Sequence, residues 1–239
     1  MIPRIPLLAA LLVAPTGPVL AANFTPPQGC TLEVTVQNRS CTVNQIYRCE
    51  ADATGDQWSA TFDEGGMSYI SRIDAETRWM DSTTIATGLR DTLEEGATDD
   101  ASFSTLLETG RDTFDFWTVS NSGERLHHVG QDELTDETVT IDGVELEKTR
   151  FRLQTFDASG ELLIEREGQQ FINRAMGRFF GGIETFRDWT GESGETNDSP
   201  VTFSFPGEQG FASTTPEFDC DMMMALMQRY DPPKRGDAS

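Results

Sequence analysis

Lysine is almost missing from this chain: Lys148 and Lys234 are the only two in 239 residues. Histidine is equally scarce and confined to the dipeptide His127-His128. The basic side chains that remain are arginines. They face forty aspartates and glutamates, and the formal net charge is −22. A field of that sign repels phosphate backbones and anionic lipid, so neither nucleic acid nor membrane insertion is expected. Such a surface reads first as a hydrated one, and only second as an attractor for a cationic ligand.

The motifs of common chemistries are missing as well. With so few histidines, any imidazole chemistry must pass through His127 and His128. Adjacent strand residues point to opposite faces, so one ring should face inward and one outward, with neither catalytic. The nucleophile elbow G-x-S-x-G fails at Gly191-Glu192-Ser193-Gly194, which is followed by Glu195. Phosphate loops, G-x-G-x-x-G, H-E-x-x-H and S-x-x-K do not occur, and Asp52-Ala53-Thr54-Gly55-Asp56 departs from a calcium loop at its third position. No C-x-x-C pair suggests zinc. The expectation is therefore no catalytic residue, no cofactor and no metal site. Carboxylate pairs such as Asp219/Asp221, Asp112/Asp115 and Glu94/Glu95 could serve a hydrolase, but forty acidic residues generate such pairs by composition.

What is present begins at the N-terminus. Residues 1–22 carry one basic residue, a short apolar run and a Val19-Leu20-Ala21 cleavage site, the pattern of a secretory signal peptide. Pro3, Pro6, Pro15 and Pro18 argue against a buried helix there. Cleavage near Ala21/Ala22 leaves a single β-rich domain over 23–230 and a disordered tail over 231–239, located in the periplasm or outside the cell. Nothing later approaches the roughly 18–20 apolar residues of a membrane-spanning helix.

Four cysteines in an exported chain imply two disulfides with three possible pairings. Leu32, Val34 and Val36 alternate with polar residues, and Val43 and Tyr47 continue that parity beyond a turn at Asn38-Arg39-Ser40. A hairpin with its tip at Arg39-Ser40 sets Val36 opposite Val43, Leu32 opposite Tyr47 and Cys30 opposite Cys49. Cys41 is left for Cys220. Met222, Met223, Met224 and Met227 beside Cys220 raise a copper(I) reading, against which stand a disulfide-bonded cysteine and methionines filling core gaps.

Period-two alternation runs through most of the chain. Strands are expected at Gln57–Asp63, Ser68–Ile73, from Phe114, Arg125–Val129, Thr138–Ile141, Val144–Thr155, Leu162–Glu167, Gln169–Asn173, Ile183–Trp189 and Val201–Phe205. Asp142-Gly143 is the strongest hairpin signal. A parity change in Val144–Thr155 predicts a bulge near Lys148. Helices are expected only at Ala101–Thr109, capped by Asp100 and ended by Gly110, and at Asp221–Arg229. Thr87–Asp100 reads as a loop or weak helix, and Gly191–Ser199 as a flexible loop. Phe179-Phe180-Gly181-Gly182 sets two readings side by side: one ring lines a cleft or contacts a partner, or a bulge at the glycines turns both rings inward. The fold expected is an all-β antiparallel meander curling into a barrel, half-barrel or sandwich.

The Cys30…Cys41…Cys49 opening, Thr109-Gly110-Arg111-Asp112-Thr113-Phe114-Asp115-Phe116, the Asp142-Gly143 hairpin and the closing Pro216-Glu217-Phe218-Asp219-Cys220-Asp221 resemble exported bacterial β-rich proteins of unknown function. The resemblance spans most of the chain after the leader and implies no activity. The functional expectation is a non-catalytic domain binding a small apolar ligand or a protein partner. The alternatives are an exported hydrolase using carboxylate chemistry and a structural envelope-associated protein.

Overall fold

The structure, a computed structural model, describes residues 23–221. The expectations for residues 1–22, for the methionine cluster, for the helix at Asp221–Arg229 and for the tail lie outside them. One antiparallel sheet of thirteen strands dominates. Strands β1 (Cys30–Asn38), β2 (Thr42–Cys49), β3 (Gln57–Asp63), β4 (Gly66–Ile73), β5 (Trp79–Thr84) and β6 (Leu89–Leu93) precede the short helix α1 (Phe103–Thr109). Then come β7 (Arg111–Ser120), β8 (Arg125–Ile141), β9 (Val144–Asp157), β10 (Leu162–Asn173), β11 (Arg178–Asp188), β12 (Ser193–Asn197) and β13 (Pro200–Ser204). Each strand pairs with its sequence neighbour, except that β13 returns to pair with β1. The sheet is an open meander with β12 and β13 at its edges.

The meander curls because its two ends share a core. Val34, Val36 and Ile46 of β1 and β2 pack with Leu146, Phe171 and Phe180 of β9–β11 and with Phe203 of β13. The rings of Phe180 and Phe203 meet edge to face at 5.2 Å. Asp142, at the tip of the β8–β9 hairpin, accepts the Phe203 N–H at 2.9 Å. A second cluster of Leu32, Val43, Tyr47 and Phe62 lies beneath Phe24 and Phe211 from the chain ends.

Both disulfides form, Cys30–Cys49 and Cys41–Cys220. The hairpin register holds at Cys30↔Cys49 and Leu32↔Tyr47 and then slips at Glu33. Val36 therefore lies opposite Asn44, not Val43, and Leu32 sits in a different cluster from Val34 and Val36. One extra residue reverses side-chain parity.

Several expectations need correction. Thr87–Asp100 contains β6, and Gly191–Ser199 contains β12. Both are short and polar, β12 at the sheet edge and β6 in its middle, and their pattern is indistinguishable from loop. Arg125–Val129 and Thr138–Ile141 are one 17-residue strand, β8. The irregularity foreseen near Lys148 lies on β8, where the register shifts between Leu134 and Thr138 opposite it. Asp136 there adopts φ 59°, and Thr135 Oγ1 donates to the Lys148 carbonyl. The N-cap of α1 is Ser102, not Asp100: its side chain accepts from Thr105 N. Gly110, at φ 83°, closes the helix in the left-handed conformation that glycine adopts at little cost.

Candidate functional site

Strict alternation in β7 turns Asp112, Phe114, Phe116, Thr118 and Ser120 to one face, all buried. Across the ladder on β8, Asp132 opposes Asp112, Gly130 opposes Phe114, and His128 opposes Phe116. On β9, Phe151, Leu153 and Thr155 continue the same rows. Gly130 shapes the surface. A Cβ there would come within 2.6 Å of the Phe114 ring and 2.3 Å of the Arg152 carbonyl, so only glycine lets the ring lie across the strand.

The result is a cavity of about 330 Å³, within the range of small-molecule sites. Its apolar wall is Trp79, Phe114, Phe116, Phe151, Leu153 and Phe179. Trp79 and Phe116 meet edge to face at 5.6 Å. Phe103 of α1 packs on Phe179 at the same distance, so the helix flanks one side of the cavity. The N-cap holds α1 in place: Asp112 accepts the Ser102 N–H at 2.8 Å, and Glu76 accepts from Ser104 N and Ser102 Oγ.

Charged groups break the apolar wall. Asp132 lines the cavity, and among the described residues its carboxyl makes no hydrogen bond or ion pair. Burial pushes that carboxyl up to about 7, and the Asp112 carboxylate opposite adds to the rise. Burial also raises Asp112 and Glu184. Arg166 pairs with Glu184 at 3.4 Å, and Arg78 pairs with Asp74 at 2.6 Å and Asp100 at 3.3 Å. Arg178 is buried and has no carboxylate partner among the described residues.

The two histidines do point opposite ways. His128 is buried beneath Trp79 and Phe116, its Nε2 at 2.9 Å from Thr118 Oγ1 and its Nδ1 at 3.1 Å from Thr155 Oγ1. Desolvation and then the neighbouring His127 bring it down to about 4, so the ring is neutral at physiological pH. His127 faces outward, stacked on Trp117 at 4.5 Å, with Nε2 at 2.7 Å from Asp115, and Arg125 also lies over the Trp117 ring, 4.6 Å from its centre.

The carboxylate pairs singled out from sequence do not converge. Asp112 points inward and Asp115 outward; Glu94 pairs with Arg125, and Asp219 with Arg39. Asp52 accepts the Trp58 indole N–H, and Asp56 pairs with Arg72. Glu64 comes near Cys41 and Cys220, but those sulfurs are bonded to each other. Of the two readings of Phe179-Phe180-Gly181-Gly182, the first holds: Phe180 enters the shared core, Phe179 on the other face lines the cavity, and the register shift at Gly181-Gly182 falls beyond both rings. Sequence reading did not single out Asp132, Arg178, Glu184 or Trp79. The usable signal was parity, since His128, Gly130 and Asp132 alternate along one strand, but it is hidden among forty acidic residues.

The chain matches no known family, no curated protein and no solved structure.

Proposed function

We propose that this is an exported, non-catalytic binding protein that holds a small, largely apolar ligand in the cavity between β7–β11 and α1. The observation that carries the reading is a concave space of about 330 Å³ with an aromatic wall of Trp79, Phe114, Phe116, Phe151 and Phe179 on which charged and polar side chains converge. An aromatic surface with convergent polar groups is the composition of a small-molecule site. Two disulfides fit an oxidising compartment, which the leader-like residues 1–22 would reach. Intact mass of the chain secreted by a bacterial host should correspond to a start at Ala22 or Asn23. A product that keeps residues 1–20 removes the localisation.

Binding is tested with N-phenyl-1-naphthylamine, a neutral fluorophore that brightens on leaving water. The exported protein should enhance its emission saturably at one site. Ala101, half-buried at the cavity rim, can be enlarged without disturbing the main core. Ala101→Trp should weaken the probe by at least about tenfold, the effect of filling its space, with the unfolding midpoint nearly unchanged. Absence of saturable enhancement, or equal binding by Ala101→Trp, removes the reading.

A second reading has one observation behind it. Asp132 and Glu184 share the cavity and both are raised by burial, and a carboxyl near 7 suits a general acid. A partner base is harder to find. Glu184 is paired with Arg166, Asp112 holds the α1 cap, both nitrogens of His128 are engaged, and His127 lies on the outer face. Hydrolysis of generic glycosides or esters that vanishes in Asp132→Asn would favour this reading.

A further inference from the structure

The cavity holds three guanidinium groups, and two of them are already neutralised. Arg78 has Asp74 and Asp100, and Arg166 has Glu184. Arg178 has neither. Its Nε donates to the Phe179 carbonyl at 3.4 Å and its Nη1 to Gln57 Oε1 at 3.5 Å, both long, and its guanidinium lies 5.5 Å from the Phe180 ring centre. A guanidinium carries five N–H donors, so three are left without an acceptor among the described residues. Only 9 % of this residue is exposed. Buried charges are normally paired, and an unpaired one in a cavity wall marks a place for an anion.

Resting on the reading of the cavity as a ligand site, we propose that the ligand is an amphipathic monoanion. Its carboxylate or similar head group would be held by Arg178, and its apolar body would lie along Phe114, Phe116, Phe151 and Trp79. Among the charged groups, Arg78 is met by Asp74 and Asp100 and Arg166 by Glu184, which leaves Arg178 as the guanidinium in the wall without a carboxylate of its own. Asp132, pushed up to about 7 by burial, offers an O–H donor in the same cavity below that value. Gln170, also in the wall, adds an amide donor. The net charge of −22 slows the approach of an anion, but long-range repulsion is screened by salt and acts on encounter more than on a buried contact. A quaternary ammonium ligand would suit the aromatic rings and Asp132, but it would leave Arg178 unpaired and face it with a like charge.

Displacement of N-phenyl-1-naphthylamine from the exported chain by decanoate, decanol and decyltrimethylammonium separates these cases. Decanoate should bind at least about tenfold more tightly than decanol, as expected for a charge-assisted hydrogen bond in a buried site. In Arg178→Gln, confirmed as folded by near-ultraviolet circular dichroism, the decanoate-to-decanol ratio should fall close to one. Should that variant fail to fold, the wild-type series still decides. Equal affinity of decanoate and decanol for the wild type overturns the assignment, as does a ratio unchanged in Arg178→Gln. Tightest binding by decyltrimethylammonium overturns it in favour of a cation held by Asp132. If neither the fluorophore nor any decyl compound binds, the ligand-site reading fails, and this proposal fails with it.

Discussion

Replacing Cys41 and Cys220 together by serine should lower the unfolding free energy by about 3–5 kcal/mol, more than replacing Cys30 and Cys49, for which about 3 kcal/mol is expected. The first bond links residues 179 apart and the second residues 19 apart, and the cost of closing a loop in the unfolded chain grows with its length. The longer link also fastens a strap. Gln37 Nε2 donates to the Thr215 carbonyl at 2.9 Å, and its Oε1 accepts from Glu217 N at 3.1 Å. Gln45 Nε2 donates to the Ser213 carbonyl at 2.6 Å, while Thr35 Oγ1 accepts from Ala212 N and donates to Gln45 Oε1. These side chains are buried only because the strap covers them, and Phe211 within it covers Leu32, Val43 and Tyr47. Urea unfolding measures the loss, and faster amide hydrogen exchange across β1 and β2 should accompany it. A double-serine variant at Cys41 and Cys220 that is no less stable than the one at Cys30 and Cys49 contradicts this account.

Two buried groups should give opposing pH dependences that cancel in the wild type and emerge in single variants. Asp132 titrates near 7 in the folded chain and near 3.8 when unfolded, so between those values the folded state binds the extra proton. Its contribution to stability is complete below about 4 and is lost as pH rises to about 7. His128 titrates near 4 folded and 6.5 unfolded, so in that window the unfolded state binds the extra proton. Its contribution is complete above about 6.5 and is lost as pH falls to about 4. At about 1.4 kcal/mol per pH unit, the two spans amount to about 4 and about 3 kcal/mol. Relative to wild type, Asp132→Asn should gain stability by about 4 kcal/mol as pH rises from 4 to 7. His128→Gln loses the Thr118 and Thr155 contacts at all pH values, but its deficit should shrink by about 3 kcal/mol on going from pH 6.5 to pH 4. Chemical denaturation at several pH values reads both. A difference between Asp132→Asn and wild type that does not vary with pH would show that the Asp132 carboxyl is not desolvated.

The pairing Cys30–Cys49 was legible because Leu32, Val34, Val36, Val43 and Tyr47 alternate around a short turn, and local alternation is a property of neighbouring residues. The slip at Glu33 was not legible, since a bulge leaves the composition of the strand unchanged and shows only in what faces it. Strands β6 and β12 were hidden for a related reason. Leu-Arg-Asp-Thr-Leu and Ser-Gly-Glu-Thr-Asn bury little and owe their extended form to the strands beside them. His127 and His128 were readable as facing opposite ways because strand geometry alone demands it.

The sequence by itself determined an all-β antiparallel chain, where several of its hairpins turn, and which cysteines lie opposite or are left over. Those are consequences of period two, turn chemistry and composition, each set within a few residues of chain. The tertiary structure alone decided that β13 returns to β1, that Phe180 meets Phe203, and that Asp132 of β8, Arg178 of β11 and Trp79 of β5 line one cavity. That meeting depends on how far the sheet curls and on where its bulges fall. Both depend on packing between residues far apart in the chain, such as Val34 against Phe180 and Phe203, which no local pattern encodes.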